Sequence, residues 1–135
     1  YVIQPIVGFD VTQYWRLTYY FPDVYNVAFH ATNELETDGV TSPIDYNDNQ
    51  WHFIAATFDA NNANLYIDGE LVVSAINVTG SSIGSGAVQE QFGAIGKTLA
   101  STANTFFFKG QIDDIIIFED ALNETEIELI YDPMN

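Results

Sequence analysis

The most constraining feature of this sequence is the stretch of residues 51–73, in which two apolar runs flank a polar turn. The first run reads Trp-His-Phe-Ile-Ala-Ala-Thr-Phe-Asp and the second reads Leu-Tyr-Ile-Asp-Gly-Glu-Leu-Val-Val. Both are rich in the β-branched and aromatic residues that favour strands. The Asp68-Gly69 pair inside the second run is typical of a tight hairpin. The stretch therefore predicts three consecutive antiparallel strands.

Composition extends this prediction to the whole chain. The 135 residues are 47% hydrophobic and 15% aromatic and contain no cysteine, which suits one packed domain without disulfides. Glycine, proline and asparagine turn signals recur at short intervals, as in all-β proteins. No run approaches about 20 apolar residues, so we predict no membrane span. We expect a single all-β domain over residues 1–135.

The charge of the chain restricts its partners. Nineteen acidic residues oppose only Arg16, Lys97 and Lys109, which gives a formal net charge of −16 at pH 7. Such a surface repels polyanions, so we exclude nucleic acid as a partner. Dissolved salt screens the self-repulsion, which favours a marine, halophilic or calcium-containing exterior. An ordinary acidic soluble surface would account for the same composition.

A second hairpin is predicted between residues 14 and 32. Apolar side chains occupy alternate positions in each of the two predicted strands. The apolar side chains of both strands lie on the same face of the hairpin only if the numbers of each pair of facing residues sum to an even value. A three-residue loop over residues 22–24 gives this register. The opposite face then carries polar and aromatic side chains. Its candidate ligand-binding residues are Tyr14, Arg16, Tyr20, Asn26 and His30.

This face has the chemistry of a shallow carbohydrate site. Aromatic rings stack on the apolar side of a sugar, while Arg, Asn and His side chains hydrogen-bond to its hydroxyls. An ordinary solvent-exposed or inter-sheet surface explains the same pattern, because sheet surfaces are rich in Tyr and Thr. Tyr46 and Asp48, in the acidic loop before Trp51, form a second candidate for cation or glycan contacts at the rim of the domain.

The C-terminal part of the sequence predicts one strand and one helix. Residues 111–118 are apolar on both faces, which is typical of a central strand. Asn123 and Glu126 have the spacing of a capping box at the start of a short helix. Ile127, Ile130 and Tyr131 would form the stripe by which the helix docks.

Residues 108–118 read Phe-Lys-Gly-Gln-Ile-Asp-Asp-Ile-Ile-Ile-Phe, and residues 121–127 read Ala-Leu-Asn-Glu-Thr-Glu-Ile. Together with residues 51–73, and in that order, they resemble the laminin-G-like, concanavalin-A-like jelly rolls of bacteria and viruses. The resemblance implies an antiparallel two-sheet jelly-roll sandwich with a short C-terminal helix. Residues 1–50 match only in pattern, so we expect one or more N-terminal strands to be missing or supplied by a neighbouring molecule.

The resemblance also points to a structural calcium ion at Asp113 and Asp114. By alternation Asp113 shares a face with Ile115 and Ile117, and a carboxylate that points into the sandwich must be paired or bound to a cation. In related jelly rolls an Asp at this position helps to hold calcium or caps backbone groups. Hydrogen bonds from backbone amides would satisfy the carboxylate equally well, so both interpretations stay open.

The sequence predicts no enzymatic activity. Glycoside hydrolases of this fold place strand-borne carboxylates in the order Glu-x-Asp-x-x-Glu. Here Glu34 is followed by Glu36 in the middle position and by Gly39 in the last, so the pattern fails. Two histidines and no cysteine are too few for a zinc constellation.

Two functions remain. The first is a non-catalytic extracellular recognition module that binds glycan or another cell-surface polymer, with calcium as a possible structural aid. The alternative is a structural or decoration subunit of a virion or surface filament, which assembles through sheet-edge and sandwich contacts, because an open sheet edge accepts a strand from a neighbour. Both functions place the protein outside the cell, at a cell surface or at a virion surface.

Overall fold

Two antiparallel sheets and one short helix make up the described part of the chain. The computed structural model describes residues 2–9, 15–21, 26–32, 37–59, 62–76, 93–97 and 106–132. In chain order, the elements within these ranges are β1 (Val2–Phe9), β2 (Trp15–Phe21), β3 (Asn26–Thr32), β4 (Thr37–Asp45), β5 (Ile54–Phe58), β6 (Asn62–Ile67), β7 (Glu70–Ile76), β8 (Gly93–Ile95) and α1 (Glu124–Tyr131).

The strand pairing confirms both predicted hairpins. The larger sheet has the order β4-β3-β2-β1-β8 and the smaller sheet the order β5-β6-β7. Strands β5, β6 and β7 pair in sequence, as residues 51–73 predict. In the β2–β3 pair, Leu17 lies opposite Phe29 and Arg16 opposite His30, so the paired numbers sum to an even value, as predicted.

The two sheets enclose one apolar core. Side chains at alternate positions of a strand point to the same face, so Leu17, Val27 and Phe29 all face inward. They form one buried cluster with Leu65 and Ile67 of the smaller sheet. This arrangement confirms the all-β, two-sheet sandwich.

The prediction of a central strand over residues 111–118 is wrong for the described structure, because none of these residues lies in a strand. Ile112 and Ile115 pack against the core. Asp114 has a left-handed φ of 48°, which interrupts the regular alternation of a strand. Beyond Ile115 the apolar side chains face solvent, and Ile116, Ile117 and Phe118 are 62%, 58% and 48% exposed.

Helix α1 begins at the predicted capping box. The Glu126 backbone N–H donates to Asn123 Oδ1 at 3.1 Å, and the Asn123 N–H donates to Glu126 Oε2 at 2.8 Å. Ile127 is buried, and the Tyr131 ring lies against the Phe53 ring with centroids 5.6 Å apart. The helix thus docks beside the start of the smaller sheet. None of the described helical segments has the length and apolar character needed to cross a membrane.

Candidate functional site

The first candidate site is the face of β2 and β3 that points away from the core. We call it the polar sheet face and define it by Arg16, Thr18, Asn26 and His30. Arg16 lies directly opposite His30 in the ladder, and alternation places all four residues on the side opposite Leu17 and Phe29. The structure therefore brings together three of the predicted ligand-binding residues, Arg16, Asn26 and His30.

The other two predicted residues of this face are less completely described. Tyr20 occupies the register position opposite Asn26. Tyr14 lies outside the described residues.

Two oxygens of the polar sheet face are buried without a hydrogen bond. Thr18 is 0% exposed, and neither Thr18 Oγ1 nor Asn26 Oδ1 has a hydrogen-bond partner within the described ranges. Buried polar groups are nearly always hydrogen-bonded, so each such oxygen needs an explanation. A buried ordered water is the simplest partner for both, because neither oxygen is accessible to solvent.

A short network with β4 fixes the amide of Asn26. Its Nδ2 donates to the Ser42 carbonyl, while the Val27 N–H donates to Ser42 Oγ at 2.9 Å. Ser42 Oγ in turn donates to the Ile44 carbonyl at 3.0 Å. These bonds lie where the β3–β4 register shifts between Asn26 and Ala28. Because Nδ2 is engaged, the acceptor Oδ1 is the atom that Asn26 can offer to a ligand.

His30 is neutral at pH 7. Burial, and then the charge of Arg16, lower the pKa of His30 from 6.5 to about 4. Gly39 lies opposite His30 on β4, and a Cβ at Gly39 would overlap the His30 ring and the Phe29 carbonyl. The polar sheet face therefore combines one cation, one neutral imidazole, one amide oxygen and one hydroxyl.

The second candidate site, the rim cluster, comprises Tyr46, Asp48, Trp51, His52 and Asp68. His52 Nδ1 lies 2.8 Å from Asp68 Oδ2, and His52 Nε2 lies 3.0 Å from Asp48 Oδ1. The Tyr46 ring meets the His52 ring edge-on, with centroids 5.3 Å apart. The predicted residues Tyr46 and Asp48 thus lie together around His52.

The hydrogen bonds of the rim cluster favour a charged His52. A neutral imidazole donates through only one nitrogen, whereas both nitrogens of His52 face carboxylate oxygens. Burial opposes the charge, but the hydrogen bonds to Asp68 and Asp48 outweigh it, so the pKa of His52 is raised. The Gln50 backbone N–H and then His52 lower the pKa of Asp48.

Three residues of the rim cluster, Trp51, His52 and Asp68, were not predicted as site residues from the sequence. Asp68 reaches His52 because the β6–β7 turn lies beside the start of β5, where the Phe53 N–H donates to Asp68 Oδ1 at 3.0 Å. The hairpin register, which pairs Ile54 with Ile67, could have revealed this proximity. Trp51 is 66% exposed although it begins an apolar run. The only feature of the sequence that could have indicated this exposure is the position of Trp51 directly after an acidic loop.

The loop that carries Tyr46 and Asp48 is held by its own acidic side chains. The Asn47 N–H donates to Asp45 Oδ1 at 2.7 Å, and the Gln50 N–H donates to Asp48 Oδ1 at 2.9 Å. Such Asx-type bonds organise a turn locally. The exposed Trp51 ring is therefore presented from an ordered loop.

Asp113 and Asp114, the predicted calcium ligands, lie at the surface of the described structure. Both residues are exposed, so Asp113 does not point into the sandwich, as it would in a regular strand that includes Ile115. Asp113 Oδ1 accepts a hydrogen bond from the Asp114 N–H at 3.0 Å. Calcium takes 6–8 oxygen ligands. In the ranges that the structure covers, no three His, Asp or Glu side chains are arranged to hold a metal ion. Calcium binding stays a prediction.

The residues weighed for catalysis are largely outside the described ranges. Glu34 and Glu36 lie outside those ranges, and Gly39 lies on the edge strand β4 opposite His30. The absence of activity stays a prediction.

Comparison with known proteins identifies the family. The family model Laminin_G_3, described as the concanavalin A-like lectin/glucanases superfamily, matches residues 4–128. The chain belongs to this superfamily. The match includes both halves of the sequence resemblance and also most of residues 1–50, so it confirms the laminin-G-like assignment. The comparison with curated proteins gives no match.

A solved structure shares the fold. It is that of an S-layer domain-containing protein from Clostridium thermocellum, with 26% sequence identity and a TM-score of 0.53. The alignment covers 96% of this laminin-G-like chain and 63% of the S-layer chain. The chain thus spans less than two thirds of the length of that structure.

Proposed function

We propose that residues 1–135 act as a non-catalytic recognition module at a cell or virion surface, which binds a glycan or another surface polymer. Membership of a superfamily described as lectins and glucanases supports this role. The similarity to an S-layer domain-containing protein supports a surface location. Fold alone does not define function, so the proposal depends on the polar sheet face.

The observation that carries the proposal is the pair of buried oxygens on Thr18 and Asn26. Each buried polar atom without a hydrogen bond costs about 1–3 kcal/mol of stability. A sugar hydroxyl both donates and accepts, so it can satisfy Asn26 Oδ1 as a donor and the Thr18 hydroxyl as either partner. Arg16 adds donors beside them. A hydroxyl-rich ligand therefore matches the chemistry of these groups, and because both oxygens are inaccessible to solvent, its binding requires the residues that cover them to move.

The rim cluster supports the same class of ligand. The exposed Trp51 ring can stack on the apolar face of a sugar, and Asp48 can accept hydrogen bonds from hydroxyls. Its carboxylates are not arranged as in a hydrolase, because Asp48 and Asp68 are both hydrogen-bonded to the intervening His52. A glycosidase needs two carboxylates that flank the scissile bond. Binding without cleavage is the chemistry that these residues support.

The test is a glycan array followed by titration of any binder against two matched variants. Thr18→Val removes the unbonded hydroxyl with little change of volume, and Thr57→Val makes the same change in the smaller sheet. We expect Thr18→Val to weaken binding roughly two- to tenfold, the value of one hydrogen bond, and Thr57→Val to leave it unchanged. Undiminished binding by Thr18→Val would exclude the polar sheet face, and a protein that binds no glycan would exclude the glycan as its ligand.

Calcium enters this proposal only through Asp113 and Asp114. If an ion held there stabilises the domain, a chelator will lower the melting temperature measured by calorimetry. An unchanged melting temperature removes calcium from the proposal.

A structural subunit is the second candidate function. The observation that favours it is the exposure of the large apolar side chains of residues 116–118. Size-exclusion chromatography with light scattering distinguishes the two functions. A stable monomer with glycan affinity supports the recognition module, and a concentration-dependent assembly without it supports the subunit.

A further inference from the structure

The rim cluster is divided between a loop and the smaller sheet. Residues 46–51, which we call the rim loop, follow β4 of the larger sheet and lead to the start of β5 in the smaller sheet. Tyr46, Asp48 and Trp51 lie on this loop, whereas His52 and Asp68 lie at the end of the smaller sheet where β6 turns into β7. A contact between the two parts therefore helps to fix the Trp51 ring, which is 66% exposed.

His52 makes this contact through both of its ring nitrogens. Its Nδ1 lies 2.8 Å from Asp68 Oδ2 on the turn, and its Nε2 lies 3.0 Å from Asp48 Oδ1 on the rim loop. The His52 side chain is 12% exposed, so water has little access to either bond. An ionised carboxylate accepts hydrogen bonds but donates none, and an imidazole donates through both nitrogens only when it is protonated. The complete bridge therefore requires a charged His52.

Loss of the proton leaves one N–H for two carboxylates, and the contacts favour Asp68 as the one that keeps it. The bond to Asp68 is shorter, and the Asp68 side chain is 37% exposed against 54% for Asp48. Asp68 is also held in place, because its Oδ1 accepts the Phe53 N–H at 3.0 Å. The neutral ring then turns the Nε2 lone pair toward Asp48, and two acceptors do not bond. Deprotonation of His52 therefore breaks its bond to the rim loop.

The other groups around His52 keep their charge state over the range in which His52 titrates. The Tyr46 ring meets the imidazole edge-on, and burial, followed by the charges of Asp68 and Glu70, raises the pKa of Tyr46, so its hydroxyl stays neutral. The Gln50 N–H and then His52 lower the pKa of Asp48, so that carboxylate stays ionised in mild acid. His52 is therefore the group of the rim cluster that changes charge near neutral pH.

We propose that His52 is a pH-dependent anchor of the rim loop, which holds Asp48 and Trp51 in place for a ligand while the imidazole is charged and releases them when it is neutral. The ligand in this inference is the glycan or surface polymer of the proposed function, and that part of the inference rests on it. The folded pKa of His52 lies above 6.5, so the anchor is complete below that value and is lost as pH rises through the folded pKa.

Nitrogen-15 NMR of the ligand-free protein tests the anchor directly. Below the transition the ring nitrogens of His52 should report an imidazolium. Above it they should report the neutral tautomer with the proton on Nδ1, because Asp68 keeps that bond. Over the same transition the order parameters of the residue 47–51 amides and of the Trp51 indole N–H should fall from about 0.85 toward about 0.6.

Two variants and one control assign the transition to this contact. His52→Gln carries no charge at any pH, so the order parameters of its rim loop should be the same at pH 5.5 and pH 9. Asp48→Asn keeps an oxygen for the Gln50 N–H but removes a carboxylate, so the transition of His52 should move to lower pH. His30→Gln changes the histidine of the larger sheet and should keep the wild-type transition. Circular dichroism checks that all three variants fold.

A glycan that binds in the array connects the anchor to recognition. We expect its affinity for the wild type to fall roughly three- to tenfold between pH 5.5 and pH 9, because the Trp51 ring must be ordered again on binding. The affinity of His52→Gln should change less than about twofold between the same two pH values.

The possible failures of this inference and of the proposed function are distinct. A rim loop that stays ordered above the transition, or a neutral His52 with its proton on Nε2, would overturn the anchor whatever the glycan array shows. A glycan whose affinity for the wild type does not change with pH would overturn the presentation of Trp51 and leave the proposed function intact. A loop transition in a protein that binds no glycan would support the anchor and exclude the glycan as its ligand.

Discussion

In the rim cluster both nitrogens of His52 are hydrogen-bonded to carboxylates, whereas on the polar sheet face Thr18 and Asn26 each hold a buried oxygen with no partner in the described part of the chain. Both surfaces are polar and belong to the same sandwich. The rim cluster satisfies its polar groups internally, so these groups stabilise the fold. The polar sheet face leaves groups unsatisfied, so a ligand has something to gain there.

The two histidines of the sequence make this contrast measurable. Burial and Arg16 lower the pKa of His30 to about 4, while hydrogen bonds to two carboxylates overcome burial and raise the pKa of His52. Each surface therefore has one titratable reporter. Their contributions to stability must depend on pH with opposite signs.

The largest expected effect is the loss of stability that His30 causes in acid. Because the pKa of His30 is about 4 in the folded state and 6.5 ordinarily, the unfolded chain binds a proton between these values that the folded chain does not. Stability therefore falls as pH decreases from 6.5 to 4, by up to about 3 kcal/mol. Urea unfolding at pH 7 and pH 4.5 should show a smaller acid loss in His30→Gln than in the wild type. Equal losses would mean that His30 is not held neutral.

His52→Gln is the counterpart in the rim cluster. A raised folded pKa gives stability that is complete below pH 6.5 and is lost as pH rises through the folded value. His52→Gln should therefore be most destabilising in acid and should approach the wild type at high pH. Histidine ring NMR signals, followed with pH, should give two transitions on either side of 6.5.

The next effect concerns Asp68. Asp68→Asn keeps an acceptor for the Phe53 N–H and tolerates the left-handed φ of 52°, but it loses the acceptor for His52 Nδ1. We expect it to lower the free energy of unfolding by about 1.5 kcal/mol at pH 6, measured by urea titration. Asp48→Asn, at the exposed end of the same histidine, should cost less. Equal costs would show that the rim cluster does not depend on its inner carboxylate.

The smallest effect compares one substitution in two places. Thr57 Oγ1 accepts from Asn64 Nδ2 at 3.2 Å, so Thr57→Val should cost about 1 kcal/mol. Thr18→Val removes an oxygen that has no described partner, so it should leave stability unchanged or raise it. Thermal unfolding of both variants measures the difference. A similar loss in both would remove the distinction between the two surfaces.

Local sequence patterns predicted the parts of the fold that depend on local interactions. Residues 51–73 predicted β5–β7 because strand propensity and the Asp68-Gly69 turn agree, and the even-sum register placed Arg16 opposite His30. Residues 111–118 were assigned wrongly because an apolar run does not distinguish a central strand from an exposed segment. The left-handed φ of Asp114 leaves no trace in that periodicity.

The candidate sites were predicted less completely. Tyr46 and Asp48 were found from the composition of their loop, but the partner of His52 is 16 positions away and is set by the β6–β7 turn. Likewise, no pattern indicates that Thr18 is fully buried without a hydrogen bond. Whether a buried polar atom has a hydrogen-bond partner depends on tertiary contacts, and these cannot be read from residue types alone.

The packing of Tyr131 on the β6–β7 turn couples helix α1 to the rim cluster. Gly69 has a positive φ of 83°, and a Cβ there would meet the Tyr131 ring. Tyr131 also contacts Phe53, whose N–H is held by Asp68. Tyr131 thus connects the C-terminal helix to the turn that carries Asp68. A substitution that displaces α1 should therefore also disturb the hydrogen bonds of the rim cluster, although no residue of α1 belongs to that cluster.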